Sequence, residues 1–202
     1  MNALRTEDPP PAGLRQRKKA RTRALIQEHA LRLFHERGYD ATTVEQIAEA
    51  AEVSPSTFFR YFPTKEDVVM YDVFDPLLID VFRTQPADLR PLSVVRRAIS
   101  EVFTNIPAAE LERQVAREEL IMAVPELRVR MLMEFMRTLE LLIDLLAERT
   151  GRPTTDIAVR SLAGAVIGVS LAAWLTSESH RMQAYLSEVD TGLTLLEAGL
   201  PL

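Results

Sequence analysis

Residues Thr43–Lys65, TVEQIAEAAEVSPSTFFRYFPTK, decide the fold of this chain. The first apolar residues of this stretch recur at helical spacing and predict a short amphipathic helix: Val44, Ile47, Ala48 and Ala51. Thr43, with Gln46 three residues later, has the pattern of a capping box at the start of that helix. A helix of about two turns is not stable in isolation, so we expect it to pack against its neighbours.

A second short helix follows a turn at residues 52–53. Ser54 is suited to cap it and Pro55 to occupy its first position, where a missing N–H costs nothing. Phe58 and Phe62 lie four residues apart and are expected to face inward. Pro63 ends the helix, and Thr64, with Asp67 three residues on, predicts the cap of the next one. The remaining circumference is polar or aromatic: Ser56, Thr57, Phe59, Arg60 and Tyr61.

Two short helices joined by a tight turn indicate a helix-turn-helix. Backbone N–H groups and hydroxyls at the start of the second helix suit phosphates, and Arg60 suits a guanine or a phosphate. A helical hairpin inside an ordinary bundle is the alternative that this pattern leaves open.

The helix before this stretch, predicted for residues 14–37, is basic at its start. Leu14 to Arg23 holds six Lys and Arg and no acid, although the whole chain has a net charge of -5. Arg17, Lys18 and Arg21 lie in the first turns, where cations oppose the helix dipole. Helix stability does not explain them, whereas a phosphate backbone nearby would. A solvated basic end is the alternative.

The composition favours an all-α protein without catalytic or metal chemistry. Seven Gly in 202 residues and many Ala, Leu, Glu and Arg favour helix. The chain has no Cys, three scattered His and no phosphate-loop or HExxH motif, so we expect no enzyme, no metal site and no cofactor. Absence of Cys suits a reducing, cytoplasmic location. Ser161–Thr176 is uncharged, and we predict a buried bundle helix there rather than a membrane span.

Residues 1–13, rich in proline, are predicted to form a flexible tail, residues 14–63 a DNA-binding domain, and residues 64–202 a larger helical domain. Its helices are predicted from apolar periodicity: 65–84, interrupted by Pro76 with a kink or break near Asp72 to Asp75, then 91–106, 107–123, 125–150, 154 or 155 to 179, and 180–200. A loop starting at Pro76 is the alternative.

Methionine and aromatic side chains concentrate in this larger domain, and such side chains adapt to apolar ligands. A ligand-binding cavity is predicted from seven of them: Met70, Phe74, Phe103, Met122, Met131, Phe135 and Trp174. Ordinary core positions are the alternative for each one. The charged pair Glu118 and Glu119 is expected to be solvated. A close helix contact between two copies is predicted from small residues and an apolar stripe: Ser161, Ala165, Gly168, Ala172, Leu186, Val189, Leu193 and Leu196. A buried position of the first of these two helices within its own chain is the alternative, and the two are compatible on opposite faces of that helix.

The segment Gly38–Val69, GYDATTVEQIAEAAEVSPSTFFRYFPTKEDVV, resembles the DNA-binding domain of the TetR family of transcription regulators. The resemblance extends over about residues 17–69. The later run Arg117–Leu132, REELIMAVPELRVRML, is weakly similar to a branch whose ligand domain is associated with acyl-CoA-like effectors.

This resemblance implies that Ser54, Ser56, Thr57, Phe59 and Arg60 lie on the recognition helix. It implies phosphate contacts for Thr43, Tyr61 and Lys65. Two residues depart from the family pattern: Glu52 stands where Gly is usual, which costs about 1 kcal/mol if the backbone is left-handed, and Phe59 stands where Tyr is common.

The resemblance further implies a homodimeric repressor, released from a palindromic double-stranded DNA operator by a small apolar or acyl-type effector. Activation is the other mode open to the family. A helical ligand-binding or interaction protein without DNA binding is the alternative function, although it leaves the basic helix and the TFFRYF block unexplained.

Overall fold

The computed structural model describes residues 13–71, 74–104, 106–176 and 182–201. All regular structure within these ranges is α-helical, as the sequence predicts. The helices are α1 Leu14–Arg37, α2 Val44–Ala50, α3 Pro55–Tyr61, α4 Lys65–Met70, α5 Phe74–Thr84, α6 Pro91–Thr104, α7 Ala108–Ala123, α8 Pro125–Thr150, α9 Ile157–Thr176 and α10 Met182–Glu197. The chain divides into two compact units, one ending at Val68 and the other beginning at Val69.

The first unit consists of α1, α2, α3 and the first residues of α4. Its core is formed by the apolar faces of these helices: Ile26, Ala30, Leu33, Phe34, Ile47, Ala48, Ala51, Phe58 and Phe62 are all buried. The inward positions of Phe58 and Phe62 are therefore confirmed. The boundary with the second unit lies inside α4, between Val68 and Val69, rather than before α4 at Pro63.

All three predicted helix starts of this unit are confirmed. The Thr43 hydroxyl oxygen accepts from the Gln46 N–H at 3.3 Å while the Gln46 side chain accepts from the Thr43 N–H at 3.0 Å. The Ser54 hydroxyl oxygen accepts from the Thr57 N–H at 3.1 Å. Thr64 and Asp67 cap α4 reciprocally, since the Thr64 N–H donates to the Asp67 carboxylate at 3.0 Å. These bonds satisfy N–H groups that have no partner inside the helix.

The turn between α2 and α3 has a left-handed residue at the position where the family resemblance places a glycine. Glu52 has φ 52°, a conformation that non-glycine residues rarely adopt. The Val53 N–H donates to the Ala48 carbonyl at 2.9 Å, which closes the turn behind α2.

The second unit is a bundle of α5 to α10. Its core joins α5, α6, α8, α9 and α10 through buried aliphatic side chains, including Val94, Leu146, Ala163 and Leu193. The long helix α8, Pro125–Thr150, is followed by the capping residue Gly151, which has φ 65°. Its predicted bounds are confirmed.

The predicted interruption of the fourth helix is also confirmed. Two helices, α4 and α5, replace a continuous one, and Pro76 lies in the first turn of α5, where its ring is tolerated. A loop starting at Pro76 is therefore wrong. The predicted break at Asp72 to Asp75 lies partly outside the described residues, as do the predicted tail at residues 1–12 and the predicted helix boundaries at Ser179 and His180.

Helix α9 is long and apolar enough to cross a membrane, but it packs into the bundle along one face. Val159, Ala163, Val166, Ile167, Ala173 and Trp174 of α9 are buried. Helix α10 approaches α9 closely at Gly192, where an added Cβ would lie 2.6 Å from Val169 Cγ1.

Two predicted dimer contacts are corrected by this packing. Val189 and Leu193 are each 1% exposed within the single chain and belong to its core. They lie in the bundle core, where α10 packs against α9 and α6. The other predicted positions stay at the surface: Ser161, Gly168 and Ala172 are exposed, and Ala165, Leu186 and Leu196 are half-buried.

Candidate nucleic-acid interface and apolar cavity

The predicted DNA contacts all belong to the first unit, and most of them are exposed. The exposed ones are Arg17, Lys18, Arg21, Thr43, Ser54, Ser56, Phe59 and Arg60. Thr57, Tyr61 and Lys65 are half-buried. Helix α3 therefore presents hydroxyls, a guanidinium and an aromatic ring to solvent, while Phe58 and Phe62 anchor its other face.

Local contacts fix the orientation of several of these side chains. The Ser54 hydroxyl donates to Thr57 Oγ1 at 3.0 Å, besides capping α3. The Arg60 guanidinium lies 5.4 Å from the centre of the Tyr61 ring, and Phe59 makes an edge contact with buried Phe58 at 5.5 Å between ring centres. Phe59 is nevertheless half exposed, at 50%, so its ring is accessible to a partner.

Lys65 is held by the loop between α1 and α2. Its ammonium donates to the Tyr39 carbonyl at 2.9 Å and lies 4.1 Å from the centre of the Tyr39 ring. The Tyr39 hydroxyl donates to Glu66 Oε1 at 2.8 Å. Burial raises the pKa of Glu66, but hydrogen bonds from its own backbone N–H and from Tyr39 outweigh burial and hold that pKa below its ordinary value. Lys65 thus has a structural role, which the sequence did not indicate.

The second unit contains an apolar cavity of about 270 Å³ that is partly open to solvent. Six of the seven residues predicted for a ligand site line it: Met70, Phe74, Phe103, Met131, Phe135 and Trp174. Met122 is not among the lining residues, because it lies in the last turn of α7, one turn beyond the part of α7 that lines the cavity. Aliphatic residues of α5, α6 and α8 complete the wall, among them Ile79, Val95 and Leu142.

Aromatic pairs shape two parts of this wall. The Phe74 and Phe103 rings lie 5.0 Å apart, and the Phe135 and Trp174 rings lie 5.7 Å apart, measured between ring centres. Such tilted pairs contribute about 1 kcal/mol beyond the burial of their surface. They leave ring faces and edges, rather than polar groups, as the main contact surface for a ligand.

A polar cluster from α7 interrupts the apolar wall, and sequence reasoning missed it. Gln114, Arg117 and Glu118 line the cavity. The Gln114 amide donates to Glu118 Oε1 at 3.0 Å, and the Trp174 indole N–H donates to Glu118 Oε2 at 3.2 Å. Glu118 is therefore not the solvated charge that the sequence suggested, since its side chain is only 15% exposed. The spacing i, i+3, i+4 of these three residues places them on one helix face and was the available signal.

Arg117 is the most buried charge of this cluster. Its Nη2 lies 3.8 Å from Glu118 Oε1, and its Nη1 donates to the carbonyls of Met70 and Tyr71 at 3.4 and 3.3 Å. Buried charges in proteins are paired or hydrogen-bonded, as here. The described residues contain no group of three or more His, Asp or Glu side chains that could hold a metal ion.

Two family models match the chain, one for each unit. Residues 26–70 match the model described as bacterial regulatory proteins of the tetR family. Residues 89–201 match the model described as the MftR C-terminal domain, a TetR C-terminal class.

Individual relatives agree with these matches. The chain is 37% identical over 169 residues to the transcriptional regulator TcmR of Streptomyces glaucescens, covering 77% of this chain and 75% of that one. It is 29% identical over 167 residues to MftR of Mycobacterium tuberculosis, a regulator named for mycofactocin biosynthesis, covering 81% and 84%.

Among solved structures, the fold is similar to that of Thermus thermophilus FadR, a TetR family repressor crystallised with lauroyl-CoA. The TM-score is 0.55 and the sequence identity 26%, and the match covers 89% of this chain and 95% of FadR.

Proposed function

Since the chain belongs to the TetR family of bacterial transcription regulators, we propose that it is a cytoplasmic homodimeric repressor that an apolar effector releases from a palindromic operator. Members of this family are DNA-binding transcription regulators with a ligand-binding C-terminal domain, and they are not enzymes. The mode of regulation, the operator and the effector are our proposals. These proposals are supported by one observation: the first unit exposes the polar face of α3, and the second unit contains an apolar cavity.

The proposed DNA contacts divide into two classes. Arg60, with Ser56 and Thr57 beside it, is proposed to contact base edges in the major groove. Arg17, Lys18, Arg21, Thr43 and Tyr61 are proposed to contact phosphates. The cap bond of Thr43 uses its oxygen as an acceptor, so the hydroxyl hydrogen is left to donate to a phosphate. Lys65 is a weaker candidate, because its ammonium already donates to the Tyr39 carbonyl.

The effector is proposed to bind in the cavity with an apolar body against the aromatic pairs. A 12-carbon acyl chain of the kind bound by Thermus thermophilus FadR is chemically suited to this wall, as is a flat aromatic molecule. Shifting a regulator from almost fully bound to almost fully free requires the effector to prefer the released state by about 5.5 kcal/mol. Each CH₂ group buried in the apolar cavity contributes about 0.8 kcal/mol of binding energy. Only the part of this energy that differs between the DNA-bound and the released state counts toward the required preference.

The homodimer is proposed to form through the exposed face of α9, with Leu186 and Leu196 of α10 at its edge. Ser161, Gly168 and Ala172 are exposed, and Ile157 and Leu175 at the two ends of the same helix are 76% and 58% exposed. A Cβ added at Gly164 or Gly168 would meet no atom within 4 Å in the single chain. Small residues at this spacing allow a second helix to approach closely, and the larger apolar residues would be covered.

A salt-dependent DNA-binding measurement tests this function. The probe is the DNA directly upstream of the gene for this protein, labelled for fluorescence anisotropy, with a shuffled duplex for comparison. Arg60→Ala is expected to weaken specific binding by about 1–3 kcal/mol and to reduce the preference over the shuffled duplex. Arg21→Ala is expected to weaken both duplexes and to lower the salt slope by about one.

Arg137→Ala is the matched control, because Arg137 is 75% exposed and belongs to the second unit. Like Arg60→Ala and Arg21→Ala, it removes one positive charge, but at a position far in sequence from the proposed interface. If Arg60→Ala and Arg21→Ala bind both duplexes as Arg137→Ala does, the proposed docking of α3 is wrong.

A further inference from the structure

Several hydrogen-bond donors in the wall of the apolar cavity already have a partner within the protein. The hydroxyls of Thr138 and Ser170 line the cavity and donate to the carbonyls of Glu134 and Val166, at 3.0 Å in each case. Ser and Thr hydroxyls on helices commonly bond to the preceding turn in this way. These two hydroxyls therefore offer a ligand their oxygen lone pairs, which accept, rather than their hydrogens.

The polar cluster of α7 engages its donors in the same manner. Gln114 and Trp174 both donate to the Glu118 carboxylate, at 3.0 and 3.2 Å. The Arg117 guanidinium donates to two backbone carbonyls at the end of α4 and lies 3.8 Å from Glu118. Within the described residues, Arg117 is the only cationic side chain of the lining. An anionic ligand would therefore meet one positive charge that is already paired.

The Glu118 carboxylate, in contrast, keeps capacity to accept. A carboxylate has about four lone-pair sites on its two oxygens, and the bonds from Gln114 and Trp174 use one site on each oxygen. The Glu118 side chain is only 15% exposed, so water screens its charge little. A donor that reaches it from the cavity gains a charge-assisted hydrogen bond, which is stronger than one between neutral groups.

A second carboxylate of the lining, that of Glu134, has a different environment. Both of its oxygens accept from the Arg137 guanidinium, at 3.2 and 2.9 Å. Arg137 is 75% exposed, so this ion pair is directed toward the surface of the protein. Glu118 is therefore the carboxylate that a ligand inside the cavity can reach.

We propose that the effector carries a hydrogen-bond donor, an amine or a hydroxyl, on its apolar body and that Glu118 binds this donor. A carboxylate on the ligand would instead lie close to the like charge of Glu118 in a poorly screened site. A fatty-acid anion is thus excluded, although its chain suits the apolar wall. This inference rests on the proposed function, because it specifies the chemical class of the effector that this cavity binds.

Four ligands with the same decyl chain separate these chemical groups: decylamine, decanol, decyl methyl ether and decanoate. Trp174 is the only Trp of the chain and lines the cavity, so titration of its intrinsic fluorescence reports binding there. At neutral pH, decylamine is expected to bind about ten-fold or more tightly than the ether, the factor for a hydrogen bond to a charged group. Decanol is expected to bind about three-fold or more tightly than the ether, and decanoate is expected to bind most weakly.

Glu118→Gln keeps the shape of the side chain and removes its charge. It is expected to reduce the preference for decylamine over the ether to less than about three-fold and to strengthen the binding of decanoate. Glu134→Gln is the matched control, since it makes the same chemical change in the same wall, and it is expected to leave the order of affinities unchanged. Circular dichroism verifies that each variant is folded. If Glu118→Gln unfolds because Arg117 loses its counter-charge, the double variant Glu118→Gln, Arg117→Met replaces it with the same expectation for decylamine.

The proposal is overturned if decanoate binds the native chain as tightly as decylamine or if the ether binds as tightly as decanol. It is also overturned if Glu118→Gln alters the order of affinities no more than Glu134→Gln does. In each of these cases the cavity still binds an apolar chain, so the proposed effector site is unaffected. If none of the four ligands binds, the apolar effector of the proposed function is contradicted together with this inference, whereas the DNA-binding measurement remains independent of both.

Discussion

Glu52, in the turn of the helix-turn-helix, is one of two described non-glycine residues with a left-handed backbone. Its φ of 52° is left-handed, and its side chain is exposed. A left-handed conformation brings Cβ close to the following carbonyl oxygen, which costs about 1–2 kcal/mol for a residue other than glycine. Replacing Glu52 by glycine removes this cost.

The expected gain is smaller than the full strain. Glycine loses more backbone entropy on folding, which offsets about 0.5–1 kcal/mol. The net stabilisation of Glu52→Gly over Glu52→Ala is therefore expected to be about 0.5–1 kcal/mol. Comparing glycine with alanine, rather than with glutamate, removes the effect of the lost charge.

Glu49 provides the matched control, because it is also an exposed glutamate but lies in the right-handed helix α2. Alanine to glycine at position 49 is expected to cost about 1 kcal/mol from helix propensity alone. The same chemical change thus has opposite signs three residues apart.

Amide exchange of residues 44–61 measures these differences inside the first unit, without assuming that both units unfold together. Thermal denaturation gives a second measure, since 1 kcal/mol shifts the Tm of a 60–100-residue unit by about 4–8 °C. If glycine is no better than alanine at position 52, or if positions 49 and 52 respond with the same sign, the strain assigned to this turn is wrong.

Two further predictions concern the second unit. Glu197 accepts hydrogen bonds from Ser93 and Arg96, which hold its pKa below the ordinary value of 4.5; a lowered folded-state pKa contributes stability at neutral pH that is lost as pH falls through that pKa. Glu197→Gln is therefore expected to lower the Tm at pH 7, by about 2–4 °C for about 1 kcal/mol. The difference in Tm from the native chain should shrink as the pH falls below the ordinary pKa of 4.5, and a difference that stays constant there would contradict this. Gly168→Leu, at a position with no atom within 4 Å of an added Cβ, is expected to leave the fold intact. It is expected to reduce the mass in light scattering from twice the 22.8 kDa of the chain to once that value, whereas Glu140→Leu on α8 should leave a dimer. A dimeric Gly168→Leu protein would exclude this face as the interface.

The helix-turn-helix could be predicted nearly residue by residue, because its signals are local. Thr43, Ser54 and Thr64 each act on a partner three residues away, and such a bond forms whenever the helix does. The left-handed turn at Glu52 was likewise predictable, although from the resemblance to a family rather than from the residue itself. Helix ends in the second unit followed from Pro125 and Gly151 for the same reason.

The polar cluster of the cavity could not be assigned from local pattern alone. Glu118 has an ordinary place in a charged run, and its burial depends on Trp174, which lies 56 residues away. Arg117 likewise depends on carbonyls of residues 70 and 71. A charge is solvated or buried according to what packs over it, and the sequence does not state which helix that is.

The inward and outward faces of α9 and α10 were decided in the same way. Helix α9 is apolar around most of its circumference, so periodicity does not distinguish the face that packs in the core from the face left for another copy. In α10 the apolar stripe was clear, but Val189 and Leu193 close the bundle of their own chain rather than a dimer.

The sequence by itself determined the helices, their caps and the exposed chemistry of α3, because each depends on residues within one or two helical turns. Tertiary structure alone decided that Lys65 holds the α1–α2 loop, that Glu118 and Arg117 lie in the cavity wall, and which side of α9 remains exposed. Those outcomes depend on partners distant in the chain, and burial by such partners sets the energy of a charge or an apolar face more strongly than local pattern does.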